Sequence, residues 1–348
     1  MNLQLRITKI IDETHDVKSF FLAPVDEIPP DYKAGQFLTL IFQHQKKEIR
    51  RSYSIGSVPE IDEQLFITVK RKTNGEISRL LFDHFQVGDI LNALPPSGKF
   101  VLDEEDLSGN YYFIAAGSGI VPVFALIKEL LFHHPNTKVF LIDQNRSEDD
   151  MIYKNELYKL KERFAERFDL TEFFSRPKTN YHASRRLHND LLEAILLQQM
   201  ENTHKKISAF YLCGPLNFMR MAQFTLRLLG FEDAQIHKEQ FVVNAIPFVP
   251  LMTDLSSKNV VICYNKKTYR FKVAYPESLL DAGLRNGIPL PFSCRAGQCS
   301  TCMAFCRSGK MKMSINEVLT EKDLDKGLVL TCTGFAETDV ELDFDVKM

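Results

Sequence analysis

Four cysteines in the last quarter of the sequence have a spacing that few folds require. Cys294, Cys299 and Cys302 follow the pattern Cys-x4-Cys-x2-Cys, and Cys332 stands apart further along the chain. Three thiolates on one tight loop and a fourth from another segment form the ligand set of a plant-type [2Fe–2S] cluster. Gly297 allows a turn that a Cβ would obstruct, so that backbone N–H groups can point at the sulfur atoms. The spacing predicts a centre that carries one electron at a time.

Zinc, a Rieske centre and incidental core thiols are the alternatives for these cysteines. Zinc sites usually show two short Cys or His pairs, and no second pair accompanies Cys332. A Rieske centre needs two histidine ligands, and residues 238–348 contain no histidine. Cys306 and Cys263 lie in strand-like runs, and we interpret both as packing thiols. The plant-type cluster is the interpretation that the spacing favours.

Length and composition indicate a globular protein of two or three domains. The chain has 348 residues, of which 45% are hydrophobic and 25% charged, and its net charge is −2. This charge gives no basic footprint for nucleic acid. The start, Met1–Thr8, alternates like a strand and does not resemble a signal peptide, and no apolar run has membrane-spanning length. Cysteines used as cluster thiolates fit a reducing compartment, so we expect a cytoplasmic protein without membrane insertion.

The first two segments of the chain have different periodicities. Residues 1–105 contain six short strand patterns and one helical pattern at Glu76–Phe85, which predicts a compact antiparallel β-barrel. Residues 106–245 alternate strand and helix patterns, including a helix at Lys154–Arg167. This alternation predicts an α/β domain with a doubly wound parallel sheet that binds a nucleotide.

A linker and a third domain follow. Residues 246–257 carry two prolines and end in Ser-Ser, which is typical of a linker. Residues 258–348 hold a hairpin, a helix around Ser278–Arg285, the cysteine loop and further strands. The last predicted strand, Asp339–Val346, alternates acidic and apolar residues, and we interpret its acidic side as a solvated face.

Two short motifs in the first segment suit a flavin. In Arg51-Ser52-Tyr53-Ser54, alternate side chains share a face, which places a guanidinium beside a phenol ring. The ring can lie on an isoalloxazine, the guanidinium can bind a phosphate and Ser54 can reach the reactive nitrogen. In the second motif, Gly75, Ile77 and Ser78 open a helix whose N-terminus can bind phosphate. An ordinary polar strand and an ordinary helix cap are the alternatives.

Two motifs in the second segment suit a nicotinamide dinucleotide. Gly117-Ser118-Gly119-Ile120-Val121-Pro122 follows a strand and opens a helix, although proline stands where the dinucleotide fingerprint has glycine. Cys213-Gly214-Pro215 ends the fourth parallel strand, and ligands bind at the carboxyl ends of such strands. A buried strand cysteine followed by a turn is the alternative for the second motif.

Arg-x-Tyr-Ser, Gly-x-x-Ser, Gly-x-Gly-x-x-Pro and Cys-Gly-Pro occur here in the order of the ferredoxin–NADP reductase superfamily. With the C-terminal cysteine pattern, they make the whole chain resemble the three-part reductase components of oxygenases, of the phenylacetyl-CoA epoxidase type. The resemblance implies a β-grasp, plant-type ferredoxin-like α+β fold for the last domain. It implies that the first two motifs bind the flavin and the last two the dinucleotide. It also implies that Phe241 lies near the flavin, where a core aromatic is the alternative.

The identity of each cofactor is less constrained than its presence. The resemblance favours FAD, while FMN also occurs among three-part reductases. Ser175 and Arg176 match a family position that holds an adenosine 2′-phosphate, and Arg185 and Arg186 lie nearby in the sequence. Asp143 stands about where NAD-binding folds place a ribose-binding acid. The arginine chemistry favours NADPH, with NADH as the alternative.

These cofactors together predict an NAD(P)H-dependent flavoprotein reductase. A nicotinamide gives two electrons and the cluster accepts one, so a flavin is required between them. We expect Tyr53, Ser54, Cys213 and Phe241 around the reacting rings, and Cys294, Cys299, Cys302 and Cys332 on the metal. The external acceptor is expected to be a redox protein, an oxygenase or hydroxylase component. A general reductase for a ferredoxin or flavodoxin and a non-catalytic redox sensor are the alternatives.

Overall fold

The structure, a computed structural model, describes residues 2–44, 47–102, 107–179, 185–201, 207–241, 249–250, 252 and 254–346. The chain divides into two compact units. Unit 1 contains Met1–Pro96 and Phe100–Phe241, and unit 2 contains Ser97–Lys99 and Val242–Met348. Parts of the predicted linker (246–248, 251 and 253) and the predicted domain ends at 106 and 245 lie outside the described residues. The domain limits therefore stay predictions.

Unit 1 begins with a six-stranded antiparallel sheet in the order β4-β3-β6-β1-β2-β5. An isolated antiparallel bridge joins Ile55, just after β4, to Ile67 on β5. Since β4 and β5 are the two edges of the sheet, this bridge closes the sheet into a barrel. The elements are β1 (Leu3–Thr14), β2 (Val17–Pro24), β3 (Phe37–His44), β4 (Lys47–Ser54), β5 (Leu65–Lys70), α1 (Glu76–His84) and β6 (Ile90–Ala93).

The period-2 pattern of these strands fills the interior of the barrel. Leu5 and Ile7 of β1 and Leu38 and Leu40 of β3 are all fully buried in one core. Alternate residues of a strand share a face, so each strand contributes a row of apolar side chains to that core. Leu81 of α1 packs into the same core, which fixes the helix at the end of the barrel.

The rest of unit 1 is a parallel sheet in the order β11-β10-β7-β8-β9. Residues 110–116 of β7, the central strand, are buried without interruption, as is typical of a sheet covered on both faces. The elements are β7 (Gly109–Ala116), α2 (Ile120–His133), β8 (Thr137–Asn145), α3 (Lys154–Arg163), β9 (Phe168–Phe174), α4 (Asn189–Glu201), β10 (Ile207–Cys213), α5 (Leu216–Leu228) and β11 (Ile236–Glu239).

Two hydrophobic cores cover the two faces of this sheet. Leu126 of α2 and Leu157 of α3 belong to one core. Leu192 of α4 and Leu226 of α5 belong to the other. The predicted doubly wound α/β fold is confirmed. The helix predicted at Lys154–Arg167 ends at Arg163, because the Phe164 N–H closes the last turn onto Leu160 in a non-helical conformation.

Unit 2 is an α+β fold built on a mixed sheet in the order β13-β12-β18-β14-β16, with β15 and β17 paired separately. β12 and β18 are parallel, and the other pairs are antiparallel. Ser278 caps α6 by accepting a hydrogen bond from the Asp281 N–H at 3.1 Å, a contact worth about 1 kcal/mol. The elements are β12 (Lys258–Tyr264), β13 (Lys267–Val273), α6 (Leu279–Arg285), β14 (Met303–Ser308), β15 (Met311–Met313), α7 (Glu321–Asp325), β16 (Leu328–Leu330), β17 (Gly334–Ala336) and β18 (Val340–Asp343).

The end of unit 2 differs from the sequence prediction. The strand predicted over Asp339–Val346 spans Val340–Asp343. Its acids are bound within the unit: Asp339 accepts from the Asn259 N–H at 2.7 Å, and Asp343 accepts from Arg307 Nε at 2.9 Å. Asp345 accepts from two backbone N–H groups of the β12–β13 turn, at 2.7 Å each. The expectation of a purely solvated acidic face is therefore wrong, because these three acids tie the strands together.

Candidate functional site

The four predicted cluster cysteines converge in unit 2. The Cys294 side chain lies within hydrogen-bonding reach of the side chains of Cys299 and Cys332. The Cys302 side chain lies within the same reach of Cys332. The N–H groups of Ala296 and of residue 298 each donate to Cys294 Sγ at 3.4 Å. Such N–H···S contacts stabilise thiolates and tune a bound cluster. Four sulfur donors with backbone N–H groups directed at them fit a [2Fe–2S] cluster.

The backbone of the cysteine loop has the turns that this convergence needs. Gly297 has φ +71°, and a Cβ there would press on the carbonyl oxygen of Ile315. The predicted need for glycine at this position is confirmed. Arg295 and Ser300 also have positive φ, 54° and 55°. Cys306 lies on β14 and is half-buried, and Cys263 lies on β12, so both occupy the strands predicted for them.

The predicted flavin-binding residues lie on and beside β4. Tyr53 is half-buried opposite Leu38, and Arg51 is exposed opposite Leu40. Burial raises the pKa of the Tyr53 phenol, with Arg51 opposing the shift, so the phenol stays neutral. Ser52 Oγ lies 2.9 Å from Thr39 Oγ1. The strand thus presents a neutral ring and a guanidinium from the same segment.

The second predicted flavin motif forms the start of α1. Gly75 is the N-cap, and no side chain caps the helix there. Ile77 and Ser78 are buried. Ser78 Oγ accepts from the Lys72 N–H at 3.2 Å, and a Cβ on Gly75 would overlap this hydroxyl. A helix start without a side-chain cap fits a phosphate.

The predicted glycine loop lies against the end of β10. Gly117, Ser118 and Gly119 form one 3₁₀ turn, and α2 begins at Ile120 with Pro122 in its first turn. A Cβ on Gly119 would overlap the carbonyl oxygen of Cys213. A Cβ on Gly117 would meet nothing within 4 Å, although its φ is +56°. The first glycine therefore leaves open space and the second allows two backbones to meet.

Glu239 connects the flavin motif to the nicotinamide motif. It is the last residue of β11 and lies opposite Cys213 in the parallel register. Ser54 Oγ donates to Glu239 Oε2 at 3.0 Å. The structure thus brings together Ser54 and Cys213, which are far apart in sequence. Sequence reasoning missed Glu239, because its position opposite Cys213 depends on a strand register that the sequence does not show.

Burial controls the protonation of this group of side chains. The Glu239 side chain is partly accessible, but protein surrounds its carboxyl group, and this burial raises its pKa to about 8 while the Ser54 hydrogen bond opposes the shift. Burial, and then the nearby Glu239 carboxylate, raise the pKa of the Cys213 thiol. Cys213 is fully buried. The thiol is therefore neutral near pH 7 and is not a thiolate nucleophile.

The remaining predicted residues of this region follow the carboxyl ends of β10 and β11. A Cβ on Gly214 would lie 3.1 Å from Ala116 Cβ and from Phe218 Cδ1, so glycine allows close packing there. Pro215 is the N-cap of α5 and is exposed. Phe241 follows β11 and is 41% exposed. An exposed aromatic side chain at this point is available to a ligand rather than used in the core.

Ser175 and Arg176 follow β9, also at the carboxyl ends of the parallel strands. Their N–H groups donate to the carbonyl oxygens of Asn145 (3.1 Å) and Arg146 (2.6 Å). Arg176 lines a cavity of about 280 Å³, together with Arg146 and Lys178. The other lining residues are His15, Ser147, Asp149 and Asp150. Arg146 pairs with Asp150 at 2.9 Å and Lys178 with Asp149 at 2.7 Å, so Arg176 is the cation of this lining that would first meet a phosphate group.

His15, Asp16 and Asp150 approach each other closely enough to hold a metal ion. Asp16 already pairs with Lys70 at 3.5 Å and with Arg146 at 3.4 Å. Asp150 pairs with Arg146 at 2.9 Å. These cations compensate the carboxylates, so the group forms an ion-pair network.

Family models match three consecutive parts of the chain. An oxidoreductase FAD-binding domain matches residues 4–102, an oxidoreductase NAD-binding domain matches residues 113–223, and a 2Fe-2S iron–sulfur cluster binding domain matches residues 263–337. These matches agree with the barrel, the doubly wound sheet and the cysteine loop. None of the described helices has the length and apolar composition needed to span a bilayer.

Two curated proteins are similar over nearly the whole chain. One is the ferredoxin reductase component of 3-ketosteroid-9-alpha-monooxygenase from Mycobacterium tuberculosis (strain ATCC 25618 / H37Rv), 33% identical over 99% of this chain and 96% of the relative. The other is one of the subunits of 1,2-phenylacetyl-CoA epoxidase from Escherichia coli (strain K12), 31% identical over 99% and 98%. The solved structure of phthalate dioxygenase reductase matches with a TM-score of 0.60 at 20% identity, over 99% of this chain and 98% of that one.

Fold, site and relatives define an NAD(P)H-dependent flavoprotein reductase that uses FAD and a [2Fe–2S] cluster. Within that class, the chain belongs to the family of ferredoxin–NADP reductase-type flavoproteins that carry a C-terminal plant-type [2Fe–2S] ferredoxin domain. The predicted resemblance, fold class and reductase activity are confirmed, and they displace the alternative of a non-catalytic sensor.

Proposed function

We propose that this reductase passes electrons from NADPH to an oxygenase or hydroxylase component. In this proposal Tyr53, Ser54, Cys213 and Phe241 surround the rings that exchange electrons. The observation that carries it is the hydrogen bond from Ser54 to Glu239, whose strand neighbour is Cys213. A flavin motif and a nicotinamide motif meet there through one carboxyl group.

The residues of unit 1 hold and orient both ligands. When bound, FAD accepts two electrons from the nicotinamide and releases them singly to the cluster. Arg51 and the start of α1 at Gly75 and Ser78 would hold the flavin phosphates. The loop from Gly117 to Pro122 would hold the dinucleotide phosphates, since its glycines let backbone N–H groups approach a ligand.

The group formed by Ser54 and Glu239 can manage a proton at the flavin. The Ser54 hydroxyl donates to Glu239, and a carboxyl group with a pKa of about 8 is mostly protonated at pH 7. Ser54 can therefore donate to, or accept from, an adjacent ring nitrogen while Glu239 changes protonation. Cys213 is a neutral and fully buried thiol, so it would contribute packing beneath the ring site rather than direct contact with a ring.

The cavity beside Arg176 supports NADPH as the preferred nucleotide. Arg176 lines it and would bind a 2′-phosphate dianion, with Arg146 and Lys178 beside it in ion pairs with Asp150 and Asp149. Asp143, which the NADH alternative would place on a ribose, is 1% exposed and accepts from Asn145 Nδ2 at 2.7 Å. Its carboxylate is enclosed by the sheet, which weakens the case for a ribose contact.

The names of the relatives support an oxygenase as acceptor. Both curated relatives are parts of oxygenating enzymes, a monooxygenase and an epoxidase. In unit 2 Asp343 pairs with Arg307, whereas Asp339 and Asp345 are exposed and accept hydrogen bonds from neutral N–H groups, which do not cancel a carboxylate charge. These two acids can therefore contribute charge to a partner surface. Four of the seven cysteines form the proposed cluster ligand set, and the use of cysteines as cluster thiolates supports a reducing compartment such as the cytoplasm.

Anaerobic mixing of the purified protein with NADPH or NADH tests the nucleotide preference. We expect flavin and cluster absorbance to bleach within seconds, with NADPH effective at a lower concentration than NADH. Equal concentrations, or a preference for NADH, would contradict the NADPH proposal. Mass spectrometry of the released flavin should show FAD rather than FMN.

The acceptor is tested by copurification from the native host under reducing conditions. We expect an oxygenase component to copurify and to accelerate NADPH oxidation when it is added back. Acceleration by a soluble ferredoxin or flavodoxin, with none by the oxygenase component, would favour the general reductase.

A further inference from the structure

A ring of polar contacts, three of them hydrogen bonds between side chains, joins the barrel to the parallel sheet inside unit 1. The Tyr153 hydroxyl, just before α3, shares a hydrogen bond with Thr68 Oγ1 on β5. Thr68 Oγ1 lies 2.7 Å from Ser19 Oγ, which donates to Glu13 Oε1 at 2.6 Å. The Tyr153 backbone N–H interacts with the Glu13 carboxylate and lowers the pKa of that group, against the larger effect of burial, which raises it; this contact completes the ring. The barrel therefore holds Tyr153 by its backbone and by its side chain.

Tyr153 has a backbone conformation that it would not adopt freely. Its φ and ψ are 57° and 28°, in the left-handed region that bulky residues avoid. The side chain is 3% exposed, and its ring packs against Phe66 and Phe124 with centroid distances of 6.2 and 4.5 Å. Such a conformation persists when surrounding contacts over-determine it. Here those contacts include Glu13 and Thr68, which belong to the barrel.

The Tyr153 hydroxyl also lies against Gly56, just after the strand β4 that carries the flavin motif. A Cβ on Gly56, two residues after Ser54, would be 2.8 Å from this hydroxyl and would overlap the Phe66 ring. The Gly56 N–H donates to the Phe66 carbonyl oxygen at 3.0 Å. The backbone after Ser54 is thus confined between β5 and Tyr153. Tyr153 itself follows β8, whose neighbour β7 leads into the glycine loop.

We infer that Tyr153 is a positioning residue for flavin reduction. It sets the distance between two parts of unit 1. One is β4, which carries Tyr53 and Ser54, and the other is the carboxyl end of the parallel sheet, which carries Gly119 and Cys213. It acts through Gly56 and Thr68 and does not touch the reacting rings. The inference rests on the proposed roles of Ser54 and Cys213. Because small displacements of reacting groups carry large rate costs, loss of one hydroxyl has a measurable kinetic effect.

The test compares Tyr153→Phe with Tyr158→Phe in the FAD- and cluster-loaded protein. Tyr158 is on α3 and donates to Glu172 at 2.9 Å within the parallel sheet, so its loss leaves the barrel contact intact. Phenylalanine keeps the ring contacts of Tyr153, and Thr68 keeps Ser19 as a partner, so the variant folds. We expect Tyr153→Phe to lower the stopped-flow rate of flavin reduction by about tenfold at unchanged nucleotide affinity, and Tyr158→Phe to stay within about twofold.

Two further readouts separate positioning from a general loss of stability. Amide hydrogen exchange over residues 54–56 and 66–68 should accelerate in Tyr153→Phe and not in Tyr158→Phe. Thr68→Val should match the kinetic defect, Thr68→Ser should restore the rate, and the double variant Tyr153→Phe/Thr68→Val should be no slower than either single one.

Three results would overturn the inference: an unchanged rate in Tyr153→Phe, equal slowing in Tyr158→Phe, or additive effects in the double variant. If the wild-type protein itself is not reduced by either nicotinamide, the proposed function fails instead. In that case, amide hydrogen exchange over residues 54–56 and 66–68 still reports whether the Tyr153 hydroxyl stabilises this part of the barrel.

Discussion

Ser54 and Glu239 are 185 positions apart in the chain, and the Ser54 hydroxyl donates to the Glu239 carboxylate at 3.0 Å. The first residue belongs to the barrel and the second to the last strand of the parallel sheet. A hydrogen bond between these parts places a titratable group where the two ligand motifs meet. Several measurable properties of the protein depend on this arrangement and on its neighbours.

Glu239 should make stability depend on pH between about 4.5 and 8. Its folded pKa, about 8, is above the ordinary 4.5, so over this range the folded protein holds a proton that the unfolded chain has lost. Stability therefore falls as pH rises, by at most about 1.4 kcal/mol per pH unit, and levels off above pH 8. Urea unfolding at pH 5.5 and 8.5 should show a smaller fall in Glu239→Gln than in wild type, and buried Asp143, whose pKa is raised to about 7, contributes to the part that is left. Parallel pH curves for the two proteins would contradict the prediction.

Gly119→Ala should be far more damaging than Gly117→Ala. The new Cβ at 119 would overlap the carbonyl oxygen of Cys213, whereas the one at 117 would enter open space. Gly117→Ala still costs about 1–2 kcal/mol because its φ is +56°. We expect a larger drop in melting temperature and at least tenfold weaker NADPH binding for Gly119→Ala, by thermal unfolding and equilibrium titration. A similar response of both variants would be the contrary result.

Cys332→Ser should abolish the cluster, whereas Cys306→Ser should retain it. Cys332 Sγ lies within hydrogen-bonding reach of Cys294 and Cys302, whereas Cys306 is a half-buried thiol on β14 that contacts the Ser308 carbonyl oxygen at 3.4 Å. Iron analysis and low-temperature EPR of the dithionite-reduced proteins report the cluster directly. Full iron content in Cys332→Ser would remove this residue from the ligand set.

Arg176→Gln should weaken NADPH and spare NADH. Arg176 is exposed at the cavity it shares with Arg146 and Lys178, and a charge-assisted contact to a phosphate contributes roughly 1.5–3 kcal/mol. We expect KM for NADPH to rise at least tenfold, with KM for NADH within about twofold of wild type. Lys159→Gln, an exposed substitution on α3, is the charge-matched control. Equal weakening of both nucleotides would place Arg176 elsewhere on the ligand.

Patterns with a short-range physical cause were predictable from the sequence. The cysteine spacing, the positive φ of Gly297 and the strand–loop–helix setting of Gly117 each depend on a few consecutive residues. Periodicity predicted the helix at Glu76–Phe85, within one residue of its observed end, His84. Interactions between neighbouring residues determine these features, so a short stretch of sequence is enough to predict them.

Contacts between distant segments were not predictable in the same way. Glu239 becomes notable when the parallel register sets it opposite Cys213 and the barrel brings Ser54 to it. Tyr153 reads as an ordinary aromatic residue until its backbone conformation and its contact with Thr68 are known. Asp339, just before β18, and Asp343, at its end, looked solvated because an alternating pattern does not reveal their partners Asn259 and Arg307.

The contact between Gly119 and the carbonyl of Cys213 is made by main-chain atoms. Its geometry is therefore independent of which side chain stands at position 213. Because the Cys213 side chain is fully buried, substitution there would change the packing beneath the site while the phosphate loop stays where it is. Position 119 has no such freedom, since every other amino acid adds a carbon that the carbonyl excludes. Of these two touching residues, position 213 can therefore accept substitutions and position 119 cannot.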